Sequence, residues 1–266
     1  MFKKERGKFL AKAKFTLSQA MASPDLVIVQ TVASIDEAAR VANLLSERLT
    51  EWYGLHFPEF KTNDPKKYAQ VAAVYDRQTK DETSLSIALG NPEAARAVAQ
   101  KASSSLGVAL SDEDIGAIRQ LAKSVLGLYE LREGLESYRD RLAERLCPNL
   151  SHLAGPALAA RLVAKAGSLS RLSLFPSSTV QVIGAEKALF KHLKSGSPPP
   201  KHGLIFQHAI ISTAPKKLRG KLARALAGKL AIAARADATT KNFIAPGLKA
   251  SFDARAAAIL SSKKAD

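Results

Sequence analysis

Three of the five histidines, His192, His202 and His208, fall with a Glu186–Lys187 pair in one stretch, "STVQVIGAEKALFKHLKSGSPPPKHGLIFQHAII", residues 178–211. Residues of these types can ligate a metal, run acid–base chemistry or grip an anion. The histidine spacings of ten and six residues cross a proline-rich loop, with no cysteine partner and no short fixed gap of the kind that builds zinc sites. Nucleophilic catalysis lacks a G-x-S-x-G elbow, and Cys147, the single cysteine, stands before Pro148 without a paired histidine signature. "GAEK" has one glycine, and the glycine-rich phosphate loops are absent. No catalytic residue and no metal ligand is therefore expected. Gripping a polyanion fits better. Lys187 and Lys191 stand i, i+4 on a helix expected to start near Gly184–Ala185, so their ammonium groups share a face. A helix start after glycine also offers backbone N–H groups to phosphate oxygens. Glu186 is expected to cap or to pair with a neighbouring cation. His208 can donate to phosphate, stack on a base, or be a satisfied core histidine.

The charge distribution agrees. The 266 residues carry a net +16, but residues 1–150 hold 21 Lys/Arg against 20 Asp/Glu, whereas residues 151–266 hold 19 against 4. So little acid makes paired-carboxylate catalysis implausible there. Self-repulsion on that scale is unfavourable for a compact unit unless a polyanion relieves it, and nucleic acid does so through phosphate neutralisation. An anionic membrane surface, or any DNA coated by charge alone, is the competing reading. One cysteine excludes a disulfide framework and fits a reducing, intracellular compartment. No uncharged apolar run approaches a membrane span.

The elements that must position these residues read as helices. Residues 25–56 carry Ile28, Val32, Ile35, Ala39, Ala42, Leu49 and Tyr53 at spacings of three and four, broken by Ser46, after a Ser23-Pro24-Asp25 start. A second long helix begins at Ser111, with three acidic residues in its first turn, and runs to Pro148. Its stripe is Ile115, Ile118, Ala122, Val125, Tyr129, Leu135, Tyr138 and Leu142. The pair predicts an antiparallel coiled-coil arm, with helices near 66–75 and 92–106 at its tip. Beyond it, "GLIFQHAII" can pass for a strand, and from Pro215 a cationic helix is expected. There Lys217, Lys221 and Arg224 share one side, with Lys216 near them, and Leu218, Leu222, Leu226 and Leu230 another. The fold class is all-α: a short basic helix over 1–24, an arm over 25–148, and a helical unit over 149–266.

"AGSL", "P-S-S-T-V-Q", "GAEKALF-HL" and "PKHG-IFQH", in this order, resemble the Nop domain of box C/D ribonucleoprotein core proteins and of their spliceosomal relative. Upstream, "LVIVQTV-SIDE…NLLSERLTEWYGLHFPE" resembles the start of that family's arm. The resemblance spans about 24–255 and is nearest a single-gene archaeal member. It implies a non-enzymatic scaffold. The arm pairs two copies, here through Ile28, Val32, Ile35, Val125, Tyr129 and Leu135. The Nop domain binds kink-turn RNA once a small kink-turn protein is on it. A fibrillarin-type methyltransferase, which itself binds S-adenosylmethionine, then delivers guide-directed 2′-O-methylation of rRNA or tRNA. By motif match, Gln181, Gly184, Ala185, Glu186 and Lys187 stand against RNA and partner protein, Lys191 near the guide, and His208 at the histidine of a QHP motif. Lys217, Lys221 and Arg224 would add phosphate contacts. Position 191 is Lys where the family often has Arg, and 209 is Ala rather than Pro. Only about 24 residues precede the arm, where relatives carry a larger domain that holds the methyltransferase. The implied compartment is an archaeal cytoplasm, or the nucleolus or nucleus in a eukaryote. A splicing-particle scaffold is the alternative within the resemblance.

Overall fold

A computed structural model describes residues 2–21, 24–79 and 81–261. Ser23 of the expected helix start and the last five residues lie outside these. Every regular element among the described residues is helical. Helix α1 (Phe2–Met21) exposes its side chains from Arg6 to Thr16, and α2 (Pro24–His56) follows. The chain then forms α3 (Pro65–Val74), α4 (Glu82–Leu89), α5 (Pro92–Ser103) and α6 (Asp112–Leu146). It continues through α7 (Pro148–Ala154), α8 (Pro156–Ala166), α9 (Leu169–Leu174), α10 (Ser177–Val182) and α11 (Glu186–Ser195). After a 3-10 turn (Leu204–Gln207) come α12 (Ala209–Ser212), α13 (Arg219–Arg235), a π turn (Ala236–Thr240) and α14 (Ala245–Ser261).

The chain divides into two compact units, residues 34–135 and residues 1–33 with 136–266. The division falls inside α2 and α6, so the helix ends 24–33 and 136–146 belong with the C-terminal unit. There Ile28, Val32, Leu142 and Ala143 join the core built by α7–α10, α13 and α14.

In the 34–135 unit α2 and α6 run antiparallel. Ser46 Oγ lies 3.5 Å from Tyr129 Oη, and the Val108 N–H donates to the Leu55 carbonyl at 2.8 Å. Ser111 and Asp114 form a reciprocal cap at the start of α6, each side chain bonding the other's backbone N–H at 3.2 Å. The buried stripe of α2 follows the expected spacing, except that Ala38 rather than Ala39 is inside and Ser46 is buried with it. On α6 the expected stripe holds from Ile115 to Tyr129 and then drifts. Leu135 is half-buried, Tyr138 is exposed, and Arg139 takes the inward position. Arg139 and Ala143 continue the seven-residue spacing set by Ile118 and Val125 and by Ile115, Ala122 and Tyr129, whereas Leu135 and Tyr138 stand one position short of it.

The tip holds three helices, not two. Asp64, Asp81 and Asn91 each accept from two N–H groups of the helix that follows, which starts α3, α4 and α5. The unexpected α4 is only eight residues long and rich in Ser and Thr; its cap and the full burial of Leu85 make it helical. α5 ends at Ser103 rather than 106, because the chain turns there to bring Gly107 against the His56 carbonyl.

The apolar run 204–212 is a 3-10 turn and a helical turn, correcting the strand reading. Ile205 and Ile211 are fully buried, but Gln207 and Ala209, which alternation would put on the same face, are exposed. The cationic helix begins at Arg219 rather than Pro215, since the Pro215 carbonyl closes a turn by accepting from the N–H groups of Leu218 and Arg219. Leu218, Leu222, Leu226 and Leu230 are all buried, as their spacing predicts.

Candidate nucleic-acid interface

The GAEK turn is held from behind by a backbone crossing. Gly203 N–H donates to the Gln181 carbonyl at 2.9 Å, Leu204 N–H to the Ile183 carbonyl at 2.8 Å, and the Gln181 side-chain amide to the Lys201 carbonyl at 2.7 Å. Two glycines permit this approach. A Cβ on Gly203 would sit 2.0 Å from the Ile183 oxygen, and one on Gly184, whose φ is +87°, would sit 2.6 Å from Leu204 Cγ. The Gln181 amide thus helps to position the turn.

Glu186 faces back rather than outward. Its carboxylate accepts from the Gly184 N–H at 2.9 Å and lies 3.3 Å from Lys165 Nζ. Burial resists its ionisation, but the Gly184 N–H and the Lys165 ammonium prevail and hold its pKa below the usual carboxylate value. Of the two roles expected of it, pairing with a cation is present, while its carboxylate braces the Gly184 N–H ahead of α11 and does not cap the helix. Lys187 and Lys191 project from exposed positions on α11 with no carboxylate partner among the described residues. α11 buries no residue, and Phe190 and Leu193 are 62% and 70% exposed. This ten-residue helix thus presents cations and apolar side chains together to solvent.

The three histidines do not converge. His192 Nδ1 bonds the Ser197 carbonyl and closes the loop after α11. His202 stacks on Phe206, centroids 4.6 Å apart, and the Arg219 guanidinium lies 5.2 Å from the same ring. Burial, with Arg219 and Lys201 nearby, pushes the His202 pKa down. His208 Nε2 bonds the Leu153 carbonyl at 3.3 Å, and its ring meets Phe252 edge-on at 5.7 Å. Burial also lowers its pKa, although the Leu153 carbonyl acts in the opposite direction. Of the readings open for His208, the structure favours a histidine that ties α7 to α14, with Nδ1 buried and unbonded. Among the described residues no group of three His, Cys, Asp or Glu is arranged to hold a metal.

The expected trio Lys217, Lys221 and Arg224 separates. Lys217 lies in the turn before α13, while Lys221 and Arg224 line a groove of about 570 Å³ between α13 and α14. Lys229 and Arg255 join them. Arg255 lies thirty-one residues beyond Arg224 on another helix, and no local pattern could have singled it out. Sequence reading also missed the buried knot of Asn149 and Asp237. The Asp237 carboxylate accepts from both N–H groups of the first turn of α7, at Asn149 and Leu150, and from Asn149 Nδ2. Asn149 Oδ1 in turn accepts from the N–H groups of Ile244 and Ala245. Burial beside that carboxylate pushes the Cys147 thiol up to about 12, which leaves it an inert core residue.

The residues expected to pair two copies need correction. Ile28, Val32, Ile35, Val125 and Tyr129 are buried within this chain, and Leu135 is half-buried, so five of the six are already committed to its own cores. α2 and α6 carry a second apolar stripe. On α2 it is Val41, Leu44, Trp52 and Leu55, between 38% and 59% exposed. On α6 it is Leu131, 52% exposed, and the half-buried Leu135, with Leu121 and Leu128 on the same side but packed in part against the core. Each stripe is displaced from the buried one in the same rotational sense, which on antiparallel helices puts both on one side of the pair.

Fold and surface together define a class: all-helical proteins with a long antiparallel hairpin and a strongly basic helical unit. The family model described as Nop, snoRNA binding domain, fibrillarin, matches residues 34–257, and the chain belongs to this Nop family. It is 44% identical, over 80% of its length, to an uncharacterised NOP5 family protein of Methanocaldococcus jannaschii, covering 52% of that protein. It is 43% identical, over 80% of its length, to Nucleolar protein 58 of Coccidioides immitis, covering 36%. The chain thus spans about half, or less, of the length of these relatives. A solved fibrillarin/Nop5p complex contains a chain similar to it, with a TM-score of 0.56 and 27% identity over 97% of this chain and 78% of the other.

Proposed function

We propose that this chain is the non-catalytic scaffold of a box C/D guide ribonucleoprotein. In this reading the GAEK turn and α11 engage a kink-turn RNA carrying its small kink-turn protein. The chain connects that RNA to a fibrillarin-type methyltransferase for guide-directed 2′-O-methylation, and S-adenosylmethionine is bound by the methyltransferase. The observation that carries the reading is the GAEK turn itself. Its backbone is fixed by the 181–204 crossing, and its Glu186 is internally satisfied. Lys187 and Lys191 are left on an exposed helix that buries nothing of its own. Membership of the Nop family and the likeness to the Nop5p chain of a fibrillarin complex support the same reading. Two copies pair along the outer stripes of α2 and α6. The compartment is that of the RNA served, the cytoplasm of an archaeal cell or a eukaryotic nucleolus.

Binding to a kink-turn RNA at fixed salt, with and without the small kink-turn protein, tests the proposal. Binding that requires the partner is expected, and Lys187→Ala should weaken the ternary complex by about 1–3 kcal/mol. Equal, salt-sensitive binding to every nucleic acid would reduce the chain to a basic helical protein.

A further inference from the structure

The groove between α13 and α14 brings Lys221, Arg224 and Lys229 from one helix against Arg255 from the other, over a floor that includes Phe252. None of the four cations forms an ion pair among the described residues, and no carboxylate lines the groove. The neighbouring acid, Asp253, turns to Lys249, 3.7 Å away. Lys229 Nζ is fixed instead by donating to Ser251 Oγ at 2.8 Å, across from the facing helix. Like charges facing each other across two packed helices repel, and a concave wall of low dielectric focuses their field. An anion entering the groove relieves that repulsion.

We infer that this groove is a separate binding site for the phosphate backbone of an RNA duplex, read by charge and not by sequence. It shares no lining residue with the GAEK turn and needs neither a kink-turn nor a partner protein, so it goes beyond the function proposed above. The floor favours a backbone over an acidic polypeptide. Phe252 and Ile259 are only 1% and 7% exposed, which leaves no apolar pocket for the side-chain anchors that protein partners use. Such a site would give the scaffold a second hold on an RNA stem, set by salt and independent of the kink.

The test uses the whole chain, without the partner protein, and a duplex RNA that lacks a kink-turn. Binding is measured from low to physiological salt. Arg224→Gln with Arg255→Gln leaves the Lys229–Ser251 bond intact, and an unchanged melting temperature reports the fold. Each phosphate that is no longer neutralised should flatten the slope of log K against log salt by about 0.9, so this double variant should flatten it by about two. A Lys187→Ala control on the same duplex should change the slope by no more than one phosphate's share. An unchanged slope in the double variant would overturn the inference. So would intact duplex binding together with abolished binding to polyglutamate, which would make the groove a dock for acidic protein. If partner-dependent kink-turn binding failed while the slope still flattened, the groove would stand and the scaffold reading would fall.

Discussion

At the scale of single residues, His208 shows how a side chain that can meet RNA is claimed by the fold. Its Nε2 reaches the Leu153 carbonyl and its ring packs on Phe252. Burial disfavours the imidazolium, so its folded pKa lies below the 6.5 of a free histidine. Between the two values the unfolded chain binds a proton that the fold refuses. The stability contributed by neutral His208 is therefore complete above about pH 6.5 and is lost as pH falls through that value toward the folded one. Urea midpoints should drop between pH 7.5 and 5, and His208→Gln should flatten the drop, leaving the part due to His202. The carboxylates Glu59, Asp81 and Glu186, all with lowered pKa, lose their contribution only at more acidic pH and do not confuse this window. An equal drop in the variant would remove His208 from the account.

At the scale of elements, the crossing behind the GAEK turn depends on close backbone contact. Gly203→Ala forces its Cβ onto the carbonyls of Val182 and Ile183, and neither is the end of a flexible side chain. The cost should be about 1–3 kcal/mol, and RNA binding should weaken with it, because α10 and α11 shift apart. Gly228, inside α13, meets nothing within 4 Å where a Cβ would stand. Gly228→Ala should therefore raise stability by roughly 0.5–1 kcal/mol through helix propensity. Thermal melts of the two variants that moved in the same direction would contradict this account of the crossing.

At the scale of the whole molecule, charge and apolar stripes divide the work. The balanced half carries the hairpin, and the half with 19 cations against 4 acids carries the GAEK turn and the groove. In the scaffold reading proposed above, pairing of two copies would fall to the outer stripes, since the inner ones are buried inside the chain. Leu44→Asp with Leu131→Asp alters side chains already 58% and 52% exposed, so the fold should survive while the mass by light scattering halves. Val125→Asp, at a fully buried position, should instead unfold the 34–135 unit. A dimer that persisted through the Leu44 and Leu131 changes would clear these stripes of the interface.

The sequence by itself determined the all-helical class, both long helices, the segregation of charge and the GAEK turn, because these rest on local propensity, periodicity and composition. Asp64, Asp81 and Asn91 are readable caps in the same sense, although α4 escapes notice because eight residues of mixed propensity declare no period. The tertiary structure alone decided which of two apolar stripes on α2 and α6 faces inward, since periodicity finds stripes but not their partners. It alone gave His208 and Gln181 their partners within the fold, the Leu153 and Lys201 carbonyls, and set Asn149 against Asp237, 88 residues away. It also moved Lys221 and Arg224 from the expected trio into a groove with Arg255. Each of these depends on two distant segments sharing one volume or one hydrogen bond, and packing, not sequence order, settles which segments meet.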